Sequence, residues 1–212
     1  MANAQPDDSL SLERVVFFSD AVFAIAITLL VLELKAPHVP PDPSAVPMVR
    51  ALAALIPRFI GFLVSFVVLG SFWIEHHRIF RYIRGYDAGL LWRNLALLLA
   101  VAFVPFPTAL FSENYTSSVA LLIYALTLAA VGWLKLVIWR HAVRHPELLV
   151  PGLDPLLIET ITRRSWAVPL TGLCAAVLAA LGWRFAYVAF GFIPLVAWLL
   201  GRGVARRAPD PA

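Results

Sequence analysis

Apolar residues along this chain of 212 residues fall into six long runs, separated by polar connections rich in proline and arginine. A membrane helix needs about 20 mostly apolar residues to cross a hydrocarbon layer roughly 30 Å thick. Runs that reach this scale are Leu12 to Leu34, Pro57 to His77, Gly89 to Phe111, Ser117 to Trp139, Ile161 to Leu181 and Trp183 to Gly201. The last two are the shortest; they meet at a turn around Gly182 and are open to tilted or partly re-entrant arrangements. Pro57 suits a helix start, because the first turn leaves its N–H position unpaired in any case. Pro37, Pro40, Pro41, Pro43 and Pro47 make the first connection extended. Met48 to Ile56 reads as a short interfacial helix, with Arg50 and Arg58 reaching for headgroups. The fourth connection, about His141 to Thr160, reads as a polar linker without visible chemistry.

The expected fold is therefore an all-α membrane protein with six transmembrane helices per chain and no internal repeat. Segment 1–11 is a polar N-terminal stretch, 12–202 the transmembrane domain and 203–212 a cytoplasmic tail. Lys and Arg gather on the cytoplasmic side of membrane proteins. Arg78, Arg81, Arg84 and Arg93 flank the second connection, Arg140, Arg144, Arg163 and Arg164 the fourth, and Arg202, Arg206 and Arg207 the tail. The alternate connections are poor in basic residues, so both termini are placed in the cytoplasm.

Composition agrees with this class: 61% hydrophobic and 14% charged residues with a mean hydropathy of +0.82 exclude an ordinary soluble domain. The formal net charge of +4 is accounted for by membrane topology, and no nucleic-acid partner is expected. The single Cys174 excludes an intrachain disulfide framework and zinc sites built on several cysteines. Met1 to Ser11 is polar and acidic and lacks the pattern of a secretory leader.

Chemistry is concentrated where polar residues interrupt the runs. A charge within a membrane span costs roughly 2.5–3.5 kcal/mol at the helix centre on insertion scales, so it is kept for function or paired in protein. With the first helix running outward, the second inward and the third outward, Arg14, Ser19, Asp20, Trp73, His76, His77 and Asn94 share one cytoplasmic-side layer. Trp73, His76 and His77 share a helix face at i, i+3 and i+4. Three readings fit: a clamp that fixes the first helix, groups that each snorkel to water, and a proton relay or metal site. Glu75-His76-His77 is not a zincin pattern, and adjacent histidines point about 100° apart on a helix. No resident metal and no catalytic residue are assigned.

Further along the first helix, Ile25, Thr28, Leu29 and Leu32 share a stripe, with Asp20 about 140° round from Ile25 at 100° per residue. Periodicity alone favours ordinary lipid- or protein-facing surface for this stripe. The alternative is a hydrophobic constriction with a threonine ring, formed by copies of the helix around an axis.

The pattern Arg14-x-x-x-Phe18-Ser19-Asp20, followed by Ala-Val-Phe-Ala-Ile-Ala-Ile-Thr-Leu-Leu-Val-Leu-Glu-Leu, resembles the first-helix signature of the transmembrane protein 175 family. Ser65-Phe66, Gly70, Trp73, His76-His77, Asn94-Leu95 and Pro105-Phe106-Pro107-Thr108 extend the resemblance. It implies a potassium-permeable, weakly selective cation channel rather than an enzyme, without a TVGYG filter and with no cofactor beyond the permeant potassium or other monovalent ion. It further implies a homotetramer in the bilayer, the first helices lining the pore. Ile25 would be the narrowest ring, Leu29 and Leu32 further lining, and Thr28 the hydroxyl tied to potassium preference. Arg14, Phe18, Ser19 and Asp20 would join Trp73, His76, His77 and Asn94 in the network holding the pore helix. One repeat and an arginine-over-lysine, leucine- and alanine-rich composition suggest a bacterial plasma membrane. The competing functional class is a proton-coupled ion transporter using Asp20, His76 and His77.

Overall fold

The computed structural model describes residues 8–40, 44–183 and 185–205. Pro41, Pro43, the polar stretch up to Asp7 and the tail from Arg206 lie outside the described residues. Among the described residues the regular structure is helical: α1 (Asp8–Leu29), α2 (Val46–Ala54), α3 (Ile56–Phe80), α4 (Ala88–Phe103), α5 (Pro105–Glu113), α6 (Ser118–Arg144), α7 (Pro155–Arg164), α8 (Ala167–Ala180) and α9 (Ile193–Ala205). A tighter 3₁₀ turn, Leu30–Glu33, continues α1.

Four stretches are long and apolar enough to cross a membrane: Leu12–Glu33, Ile56–Phe80, Ala88–Glu113 and Ser118–Arg144. They coincide with the first four apolar runs. Asp87 starts α4 by accepting from the Leu90 N–H at 2.6 Å, and Ser117 starts α6 by accepting from Ala120 N–H. The third span is interrupted at Val104 because Pro105 brings no N–H to bond the Val101 carbonyl, while Val104 itself keeps helical angles, φ −54° and ψ −38°. Thr108 Oγ1 sits 2.9 Å from the Val104 carbonyl, close to that break.

The fifth and sixth runs are resolved into shorter pieces. Pro169 removes the bond to the Ser165 carbonyl, and the helix divides there into α7 and α8. The 14 residues of α8 extend only about 21 Å at 1.5 Å per residue. Gly182, with φ of +83°, makes the expected turn. A 3₁₀ turn, Ala186–Phe192, precedes α9, whose second residue is Pro194.

The interior is organised around α6. Trp139, Leu128, Leu136 and Ile138 of this helix are fully buried. Its closest partner is α8, where Gly132 faces Val168 and Gly172 faces Ala129. A Cβ on either glycine would come within 2.8 Å of the opposite helix or nearer, so small residues set this separation. The fourth connection is stitched down rather than loose. Arg84 N–H donates to the Leu148 carbonyl at 2.8 Å and Val150 N–H to the Tyr82 carbonyl at 3.0 Å, beside a bridge between Ile83 and Leu149.

Candidate functional site

The polar layer expected across the first three spans is assembled, and it is selective. Ser19 is fully buried; its hydroxyl donates to the Val15 carbonyl at 2.8 Å and accepts from Asn94 Nδ2 at 2.9 Å. The Asn94 oxygen then faces His76 Nε2 at 3.0 Å, so that nitrogen carries the proton and donates. His76 is held between Phe80, stacked at 4.3 Å between centroids, and Phe23 at 5.5 Å. Its Nδ1 has no hydrogen-bond partner among the described residues. Hydrogen bonding thus runs in one direction, from His76 through an amide and a hydroxyl to a backbone carbonyl. These bonds tie α1, α3 and α4 together through an amide that does not titrate.

A second tie is set beside it: Trp73 Nε1–H donates to Asp20 Oδ1 at 2.8 Å, linking α3 to α1. His77 points away from His76, as the 100° step between neighbours requires, and its ring lies 6.1 Å from that of Trp73. Arg14 and Phe18 do not enter the network within one chain. Both are exposed, Phe18 by 56%, and no hydrogen bond or ion pair joins Arg14 among the described residues. Arg14 stands six residues before Asp20, which places the two about 120° apart around the helix, and the partner of Asp20 is the indole instead.

The opposite side of α1 is uncovered. Ile25 is 59% exposed, Leu32 67% and Leu29 39%, and Thr28 is exposed with its hydroxyl turned back to the Ile25 carbonyl at 2.9 Å. Phe23, Ala26 and Leu30, on the intervening positions, are buried. One helix therefore presents a pinned face and an open stripe.

These residues lie within a stretch that other proteins share. Residues 14–105 match the model of the endosomal/lysosomal potassium channel TMEM175. A protein of Streptomyces collinus named as a potassium channel is 36% identical over 195 residues, covering 86% of this chain and 93% of the relative. The chain belongs to the TMEM175 family. A Chamaesiphon minutus protein named as a potassium channel is 39% identical over 71% of this chain and 75% of its own length. The crystal structure of a lysosomal potassium-selective channel TMEM175 homologue from Chamaesiphon minutus superposes with a TM-score of 0.71. Identity there is 32%, over 92% of this chain and 98% of the other. Human TMEM175, named as an endosomal/lysosomal proton channel, is 39% identical over 46% of this chain, which spans 20% of the human protein.

The matched TMEM175 stretch holds every residue of the network and of the open stripe. Three further polar groups escaped the sequence reading. Lys135, buried in α6, is paired with Glu75 of α3 and lies 5.7 Å from the Phe72 ring centroid; a lone lysine midway along an apolar run was the available signal. Thr108, Ser65 and Tyr124 form a buried hydroxyl cluster, with Thr108 3.0 Å and Tyr124 3.1 Å from Ser65. Finally, the connection read as free of chemistry carries His141 and His145, which meet Asp87. His141 Nε2 is 2.9 Å from both carboxylate oxygens. Burial opposes ionisation of Asp87, yet the Leu90 N–H and the His141 ring outweigh it and hold the carboxyl below its ordinary range. The spacing His141-x-x-x-His145 puts both rings on one helix face and was the signal to use.

Proposed function

We propose that the chain is a potassium-permeable, weakly selective cation channel of a bacterial plasma membrane, without enzymatic activity. In this reading six segments cross the bilayer, both termini are cytoplasmic, and four copies surround an axis lined by α1. Ile25 forms the narrowest ring, Thr28 supplies hydroxyls beside it, and Leu29 and Leu32 continue an apolar lining that regulates passage by dehydration. The observation that carries the proposal is the two-sidedness of α1. Ser19 and Asp20 are tied to α3 and α4, while Ile25, Thr28, Leu29 and Leu32 stay uncovered by the rest of the chain. A pore helix needs both faces: a rigid backing and a free surface for its symmetry mates.

The experiment is ion flux in liposomes holding pure protein, under opposed potassium and sodium gradients, with wild type and Ile25→Asn compared. The expected result is passive flux that prefers potassium in the wild type, and larger or less selective flux in the variant. Equal flux and equal preference in the two proteins would move the pathway away from α1. The name of the animal relatives motivates a second reading, proton permeation, and a proton-gradient arm of the same assay separates it. Uphill potassium movement driven by that gradient would point to a coupled transporter instead. The one-way hydrogen bonding of the Ser19–Asn94–His76 chain argues against such coupling.

A further inference from the structure

We infer that Asp87, His141 and His145 form a binding site for a divalent transition-metal ion of the zinc class, joining the start of α4 to the end of α6. Each residue offers one ligand atom, and the three atoms lie within 4.8 Å of one another. Tetrahedral ligands about 2.0–2.2 Å from zinc stand roughly 3.3–3.6 Å apart, so modest side-chain movement closes the triangle. Three protein ligands would leave a fourth position for water.

Details of the cluster point to a built site. His145 Nδ1 lies 2.9 Å from the His141 carbonyl, which only accepts, so Nδ1 carries the proton and Nε2 presents its lone pair outward. Fixing the tautomer through a backbone carbonyl is how metal-ligating histidines are commonly prepared. The Asp87 Oδ1 is engaged by the Leu90 N–H, which orients the carboxylate, and Oδ2, 2.9 Å from His141 Nε2, is the oxygen an ion would take when that contact opens. Gly89 makes room: a Cβ there would lie 2.9 Å from His141 Cε1 and 3.0 Å from Nε2. On binding, His141 Nε2 gives up its contact with the carboxylate and the ring proton is carried on Nδ1 through exchange with solvent, so that a neutral imidazole presents the Nε2 lone pair to the ion.

The surroundings select among cations. Arg93 is bonded to the Gly89 carbonyl, and Arg93, Arg140, Arg144 and His141 line a neighbouring cavity of about 220 Å³. This positive field opposes calcium or magnesium, which are held by several oxygens. An ion that bonds strongly to imidazole nitrogen competes better there.

The test uses the full-length protein in detergent, stripped with chelator and titrated calorimetrically with Zn²⁺ alone. The expected result is one ion per chain at micromolar affinity, unaffected by millimolar Mg²⁺. His145→Gln, which leaves the His141–Asp87 pair and hence the fold intact, should weaken binding by at least about 10-fold, the lower end of effects seen even for outer-sphere partners. Asp87→Asn should do likewise, whereas His38→Gln, in the first connection, should leave the affinity unchanged. No saturable binding up to 100 μM, or wild-type affinity in His145→Gln, would overturn the site and leave Asp87–His141 a structural ion pair. Both outcomes stand apart from the channel reading, because no ion flux is measured.

Discussion

The spans of α1 and α6 are similarly apolar, with mean hydropathy of 2.6 and 2.1, yet only 22% of the α1 window is buried against 61% of that of α6. The central helix of the chain carries Lys135, paired with Glu75 and packed inside. The sparsely covered α1, matched in this by α3, carries Ser19, Asp20 and the open stripe. Hydropathy alone thus does not distinguish the enclosed α6 from the sparsely covered α1. A polar group in α6 is enclosed by its own chain. The polar groups of α1 instead fasten a helix whose other face awaits a neighbour, an ion path or lipid.

This contrast predicts that substitutions in the α6 setting damage stability, and those on the open stripe damage conduction. The largest effect should come from Glu75→Gln, which strands the buried Lys135 ammonium. Removing one partner of a fully buried pair costs about 3–5 kcal/mol; with the Glu75 side chain 40% accessible, the low end is expected, read as a fall in thermal unfolding temperature in detergent. The double variant Glu75→Gln/Lys135→Met should regain much of the loss; no regain would mean the pair is not what holds α3 to α6. Next comes Asn94→Leu, which leaves Ser19 and His76 without their shared partner and should cost about 3 kcal/mol. Stability equal to wild type in that variant would remove the clamp on α1. Asp20→Ala loses a charge-assisted bond from a partly exposed indole, so about 1–2 kcal/mol is expected, with weaker assembly appearing before any change in ion preference. Normal assembly together with altered preference would place Asp20 in the ion path instead. At the small end, Ile25→Asn changes an exposed position and should shift stability by less than about 0.5 kcal/mol while changing flux.

Much of this was legible in the chain. The first four spans follow from run length, and the depth of Ser19, Asp20, Trp73, His76 and Asn94 follows from counting residues along helices of alternating direction. Partner choice was less accessible. Arg14 and Asp20 share one layer by depth, but helical phase separates them and the indole of Trp73 donates to the carboxylate. The fifth and sixth runs are cut by Pro169 and Pro194 into shorter helices, which hydropathy does not register. The Glu75–Lys135 pair and the Asp87–His141–His145 cluster depend on which helices touch, a property that a single sequence does not print.

The central claim is that the open stripe of α1 faces the ion path, and thiol accessibility tests it most directly. In a Cys174→Ser background, Ile25→Cys and Leu99→Cys are each reconstituted; Leu99 is the contrasting position, 74% exposed on α4. Potassium flux is then followed before and after addition of a membrane-impermeant cationic thiol reagent. The account predicts that modification blocks flux through the Ile25→Cys protein and leaves the Leu99→Cys protein conducting. Full modification of Ile25→Cys with undiminished flux would contradict it and return the stripe to lipid or to a subunit contact.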